Sequence, residues 1–198
     1  MYPDSIKDLI NSFKGLPGIG EKTAERLVFS LINYDKNKLT LFSDNILKLR
    51  DNIKFCSKCG NISEDSLCPV CLDEERNKKV IFIVERPKDI ILFEKIGIFN
   101  GVYHVLNGLI SPMDGVGPAD INLDSLIERI SKDDVKELIF GLRPSIEGET
   151  TMQYIKKLVE KFDIKISKIA TGIPIGTDIE YIDSLTLELA LDERKNIN

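Results

Sequence analysis

The sequence predicts an α/β protein built in several parts: a helical N-terminal domain, a small cysteine-rich segment, a parallel α/β sheet domain and a C-terminal strand-helix tail. Three observations carry this expectation. Apolar residues in the first 53 positions recur mostly at i, i+3 and i+4, as on one face of a helix. Four cysteines in two C-x-x-C pairs then interrupt that period. Beyond residue 79, short apolar runs alternate with helical stretches, which is the pattern of βαβ units. The boundaries read from these shifts are 1–53, 54–76, 77–170 and 171–198.

Each element has its own signal. Ile6, Leu9, Ile10 and Phe13 mark a first helix, Ala24, Leu27, Val28, Leu31 and Ile32 a second, and Leu41, Ile46, Leu47 and Leu49 a third with Thr40 as its N-cap. The turn Leu16-Pro17-Gly18-Ile19-Gly20 separates the first two. From Phe55 to Leu72 the apolar period is lost, so this segment has little core of its own, and Asp73–Lys79 reads as a solvated connector. Buried parallel strands are expected at Val80–Val84, Val102–Leu106, Leu138–Phe140 and Ile164–Ile169, with helices at Asp89–Ile96, Leu123–Ile130 and Glu149–Phe162. Gly172–Gly176 and the residues up to Asp183 form an apolar strand-like element, and Ser184–Leu191 a docked helix.

Composition narrows the function. With 42% hydrophobic and 30% charged residues the chain is able to bury a core, and it has no stretch of roughly 18 apolar residues to span a membrane. The start Met-Tyr-Pro-Asp-Ser lacks a signal pattern, so a cytoplasmic setting is expected. Against 27 Lys+Arg stand 32 Asp+Glu, a net charge of -5, which rules out binding polyanions by bulk charge. The charge is unevenly spread. Residues 1–60 carry 10 Lys+Arg against 7 Asp+Glu, a balance of +3, and the remainder carries 17 against 25, a balance of -8. That asymmetry points to a nucleic-acid face on one part alone.

The cysteines give the most specific motif. Cys56-Ser57-Lys58-Cys59 and Cys68-Pro69-Val70-Cys71 each place two thiolates on one tight turn, and two such knuckles complete a tetrahedron around zinc. The alternatives are two disulfides, which a reducing compartment disfavours, and four free thiols, which would not fall in paired knuckles. Four protein thiolates leave no open position for water, so the single Zn2+ would be structural.

In Leu16-Pro17-Gly18-Ile19-Gly20-Glu21-Lys22-Thr23-Ala24-Glu25-Arg26, the glycines let the backbone approach a ligand, and the first amides of the second helix seat a phosphate. Lys22 and Arg26, four apart, share a helix face beside that seat. The stretch matches the helix-hairpin-helix pattern, so Gly18, Gly20, Lys22 and Arg26 are candidate contacts to the DNA backbone, without sequence specificity.

In the α/β part, Glu85 ends the first strand and Arg143-Pro144-Ser145-Ile146-Glu147-Gly148-Glu149 follows a later one, where open parallel sheets place ligands. The pair of motifs resembles the Toprim domain of type IA topoisomerases and primases, in which a glutamate and an Asp-x-Asp motif bind magnesium. Here Arg143 and Ser145 stand at the two aspartate positions, and an arginine repels a divalent ion. None of the five tyrosines lies in a nucleophile motif, and His104 reads as a core or edge histidine. Ser111-Pro112-Met113-Asp114-Gly115 belongs to a Gly/Pro loop of functional or interface length, and no P-loop is present.

In order and motif, nearly the whole chain, from Tyr2 to Leu191, resembles the bacterial recombination mediator family RecR. Leu-Pro-Gly-Ile-Gly, the paired knuckles, Ser111–Pro118, Ile146–Thr151 and Ala170–Gly176 carry the likeness. The resemblance implies a non-enzymatic DNA repair protein of the bacterial cytoplasm and nucleoid, forming ring-like oligomers, tetramer or dimer, through its terminal regions. With RecO and RecF partners it would load RecA onto single-stranded gaps. It makes Lys22 and Arg26 the DNA contacts, Cys56, Cys59, Cys68 and Cys71 the zinc ligands, and Glu85, Glu147 and Glu149 an acidic partner-facing surface. Gly141–Ser145 departs from the family's usual neutral stretch. The competing reading is a magnesium-dependent Toprim nuclease or topoisomerase-like enzyme.

Overall fold

The computed structural model describes residues 2–194, which fall into two compact units divided after Ile53. The first unit contains α1 (Asp4–Lys14), α2 (Glu21–Ile32) and α3 (Lys36–Asn52). Ile10, Ala24 and Val28 are buried at the α1/α2 contact, with Ile6, Phe13 and Ile19 packed around them. The third helix begins earlier than expected. Asp35 caps it, its side chain accepting from Lys38 N at 2.9 Å, so Thr40 lies inside the helix. Nothing between Asn37 and Leu39 breaks a helix, and a carboxylate caps at least as well as a threonine hydroxyl.

The second unit opens with the two-residue strands β1 (Lys54–Phe55) and β2 (Ile62–Ser63), paired antiparallel, and the single turn α4 (Pro69–Leu72). There follow β3 (Asn77–Val84), α5 (Pro87–Ile96), β4 (Gly101–Val105), α6 (Asp124–Lys132), β5 (Glu137–Gly141), α7 (Ile146–Val159), β6 (Lys165–Lys168) and α8 (Ser184–Asp192). The four longer strands form one parallel sheet in the order β4-β3-β5-β6. Its central strand β3 pairs Val80 with Glu137 through Val84 with Gly141 on one side, and Ile81–Val84 with Val102–Val105 on the other. Side chains alternate between two faces along each strand. Ile81, Ile83, Leu138 and Phe140 therefore join the cluster under α6 and α7, whereas Phe82, Val84, Tyr103 and Val105 meet Ile90 of α5 on the other face.

Three expectations change. The stretch Asp73–Lys79 is no free connector: β3 already starts at Asn77, and Arg76 donates to the Glu94 carboxylate of α5 and to Gly101 O, fastening helix to strand. A guanidinium with a half-buried carboxylate partner gave no periodicity signal. Residues 171–178 form no strand; they run as irregular chain with Gly176 at φ +83° and Ile175 fully exposed, and a 3-10 turn, Ile179–Tyr181, follows. Asp183, read as the end of that strand, instead caps α8, accepting from Thr186 N at 2.9 Å. His104 lies wholly buried in β4 with Nε2 donating to Asn122 O at 2.8 Å, as a core histidine does.

Candidate functional site

The four cysteine sulfurs converge. All are buried, and all lie within 4.8 Å of one another. The Sγ atoms of Cys59 and Cys68 are 3.6 Å apart, against about 3.8 Å for the edge of a tetrahedron with Zn–S near 2.3 Å. Backbone bonds shape each knuckle: Gly60 N donates to Cys56 O at 2.9 Å, and Leu72 N to Cys68 O at 3.1 Å. Ser57 N donates to Ser66 O at 2.9 Å and ties the two turns together. The thiols compete for protons. A hydrogen bond from Cys59 pulls Cys68 far below the ordinary thiol range, and the same bond pushes Cys59 far above it. Four crowded sulfurs ionise together only around a cation that balances them, and the donor set, geometry and closure fit Zn2+.

At the hairpin, Gly18 has φ +82°, a left-handed conformation that favours glycine, and Gly20 precedes α2 with no side-chain cap. Packing of Ala24 and Val28 inward turns Lys22 and Arg26 outward, one helical turn apart and both exposed. Glu21 is engaged by Lys14, and among the described residues neither Lys22 nor Arg26 has an ion-pair partner. The structure thus places the four candidate residues around one turn, with Lys22 and Arg26 on its outer face beside Glu21 and Glu25.

The carboxyl edge of the sheet differs from the sequence expectation of an open acidic cluster. Glu85 keeps only 11% of its side chain exposed and is flanked by two arginines: Arg143 Nε lies 3.5 Å from one carboxylate oxygen and Arg86 Nε 3.9 Å from the other. Arg143 therefore supplies positive charge where a divalent ion would sit. Glu147 stands at the start of α7, and the Ser145 hydroxyl beside it holds its carboxyl below the usual range. Glu149, two residues on, points to a different helix face and accepts from Gln153 at 2.9 Å, so it does not join the other two. Gly148 between them is steric: a Cβ there would come 2.1 Å from Arg143 O. A cleft of about 650 Å³ opens at the same edge, lined by Phe140, Leu142, Met152, Ile169 and Leu189 among others.

Known proteins show the same order of parts. Family models match residues 6–49 as the RecR helix-hairpin-helix, 53–73 as the RecR zinc finger domain of four cysteines, 79–170 as a Toprim domain and 172–195 as the RecR C-terminal part. A "Recombination protein RecR" of Staphylococcus aureus (strain MRSA252) is 46% identical over 193 residues, covering 98% of both chains. The chain belongs to the RecR family. A second relative of that name, from Lactobacillus johnsonii, is 45% identical over 197 residues, 99% of each chain. The RecR likeness and the converging sulfurs together assign one structural zinc. These relatives are named recombination proteins, and this chain carries a Toprim domain. Among the described residues no helix is long and apolar enough to cross a membrane.

Two features of this RecR-family chain escaped the sequence. The pairing of Glu85 with Arg143 joins residues far apart in the chain, and only the parallel register of β3 and β5 brings them together. Lys58, inside the first knuckle, pairs with Asp133 after α6, where the sole hint was a charged residue between two ligands.

Proposed function

We propose that this RecR-family chain is a non-enzymatic recombination mediator that grips the DNA backbone through its helix-hairpin-helix and, with RecO-like and RecF-like partners, helps place RecA on single-stranded gaps. The outward Lys22 and Arg26 beside the Gly18–Gly20 turn, without ion-pair partners among the described residues, carry this reading, because helix-start amides and two cations one turn apart suit phosphates and reach no base edge. Cys56, Cys59, Cys68 and Cys71 are the zinc ligands. Residues 1–53 form the DNA-binding part, 54–76 the finger, 77–170 the Toprim part and 171–198 an assembly tail, whose residues 195–198 lie outside the described residues, in a protein working at the bacterial nucleoid.

A ring of several chains solves the charge problem. One hairpin on a chain of net charge -5 binds DNA weakly, whereas several hairpins around one opening multiply the contacts. α3 supports assembly: it buries no residue, and Leu39, Phe42, Ile46 and Leu49 repeat at the 3-4 spacing of a helix-pairing seam, all exposed. Glu85, held by Arg143, and Glu147 at the start of α7 offer a charged surface for a partner protein at the sheet edge, with Glu149 on the neighbouring face of the same helix. The Arg143 guanidinium against Glu85 speaks against magnesium-dependent strand cleavage.

The test is RecA filament formation on gapped DNA coated with single-strand-binding protein, with the RecO-like partner present. Wild type should accelerate loading, and Lys22→Ala/Arg26→Ala should abolish the acceleration. Magnesium-dependent nicking of supercoiled plasmid that disappears in Glu85→Ala would overturn the non-enzymatic reading. For assembly, Ile46→Asp/Leu49→Asp should reduce the particle mass in light scattering; an unchanged mass would remove α3 from the interface.

A further inference from the structure

The knuckle that holds Cys56 and Cys59 is not self-contained. Val105 N, the last residue of β4, donates to Cys59 O at 2.8 Å, so a ligand's own peptide unit continues the bonding of the sheet's edge strand. Gly60 follows with φ +74°, and a Cβ on it would lie 2.7 Å from Asn122 Nδ2 and 3.0 Å from Val105 O. A side chain there would be strained and would push on both neighbours. Asn122 in turn donates to Val105 O at 2.9 Å and accepts from His104.

A charge relay runs beside this contact. Lys58, between the two cysteines, places Nζ 2.8 Å from Asp133 Oδ2, at the C-terminal cap of α6. The same oxygen lies 3.7 Å from Nε of Arg129, whose side chain is 3% exposed and which donates through Nη1 to Tyr103 O at 2.8 Å. Burying an arginine is costly unless it is paired and hydrogen-bonded, so Asp133 and Tyr103 O fix its position. Four thiolates around Zn2+ leave a net charge of about -2, which a nearby ammonium offsets.

We infer that the outer shell of the zinc site lies in the α/β sheet, with Lys58 and Asp133 as positioning residues that hold the first knuckle in its zinc-binding shape. This rests on the reading of the four cysteines as zinc ligands. Partners of metal ligands orient them and tune affinity, and here the partners come from β4 and α6, far along the chain. The coupling is reciprocal. Zinc that binds only the assembled knuckle stabilises α6 and the end of β4, and loosening α6 weakens the metal.

The experiment uses the full zinc-loaded chain and measures zinc transfer to a chromogenic chelator at equilibrium. Lys58→Met and Asp133→Asn should each weaken zinc binding about tenfold. The double variant should lose little more than either single one, Lys58→Arg should restore most of the affinity, and Lys136→Ala, which touches only Asp134 at the surface, should have no effect. Unchanged affinity in both single variants, or losses that simply add, would overturn the inference. Should a variant fail to fold, hydrogen exchange on wild type decides: chelation should strip protection from Val105 and from α6. Protection that survives there would sink the proposal. A wild-type chain that holds no zinc would instead defeat the underlying reading of the cysteines.

Discussion

Among the described residues, the helical unit before Lys54 buries only Ile10, Ala24 and Val28, whereas the α/β unit fills both faces of its sheet and closes a buried sulfur cluster as well. The difference lies also in where the apolar residues go. In the α/β unit Ile81, Ile83, Leu126 and Phe140 are essentially inaccessible; in α3, Leu41, Ile46, Leu47 and Leu49 are more than half exposed. A helix with its apolar side chains outward gains most of its stability from what covers it. The contrast teaches that the α/β unit carries its own core, whereas the helical unit leaves its apolar and basic faces outward, which is what the proposed assembly and DNA contact require.

The strongest challenge to that contrast is removal of the metal. Structural zinc sites contribute on the order of 10 kcal/mol in binding free energy. Cys68→Ser should therefore eliminate bound zinc and lower the melting midpoint of the α/β unit by roughly 10 °C or more. Calorimetry with metal analysis checks this, and a midpoint that stays put would mean the sheet does not depend on its knuckles.

Core truncation draws the contrast more finely. Leu126→Ala, at a fully buried position, should cost about 2–5 kcal/mol in denaturant unfolding. Leu47→Ala on the exposed side of α3 should cost less than about 0.5 kcal/mol under dilute, monomeric conditions. Equal effects would erase the distinction between the units.

Acid should act on the α/β unit through His104. Burial lowers its pKa from 6.5 to about 4, so between those values the unfolded chain binds the proton and the folded one does not. Stability contributed by the neutral imidazole is present above pH 6.5 and is lost as pH falls toward 4, by about 3 kcal/mol in total. His104→Gln should flatten that slope. A slope of the same steepness in the variant would assign the acid sensitivity to other groups.

A small effect is expected at the sheet edge too. Arg143→Gln removes a half-exposed partner from Glu85 but leaves Arg86, so unfolding should change by no more than about 1 kcal/mol. Magnesium should leave the wild-type melting curve unmoved. A magnesium-dependent rise that vanishes in Glu85→Gln would show that the carboxylate prefers the metal to the guanidinium.

Much of the α/β unit was legible because its signals are local. Val80–Val84 is too apolar to be anything but buried, and Cys56, Cys59, Cys68 and Cys71 carry their geometry in their spacing. What the sequence hid is long-range or end-of-element chemistry. Arg76 looked solvated until Glu94 came round to meet it, and Asp133 looked like any charge in a loop. Asp35 outcompeted Thr40 as a cap, which shifted the start of α3. At the candidate site, the shared outward face of Lys22 and Arg26 was readable from helical spacing, but the closing of Glu85 by Arg143 required the register of β3 beside β5.

The central claim, that the basic hairpin of the helical unit grips DNA, is tested most directly by the salt dependence of single-stranded DNA affinity. Wild type should lose affinity steeply as salt rises, and Lys22→Ala/Arg26→Ala should bind more weakly with a log–log slope shallower by about 1.4 for each engaged chain. A variant with the wild-type affinity and the wild-type slope would contradict it.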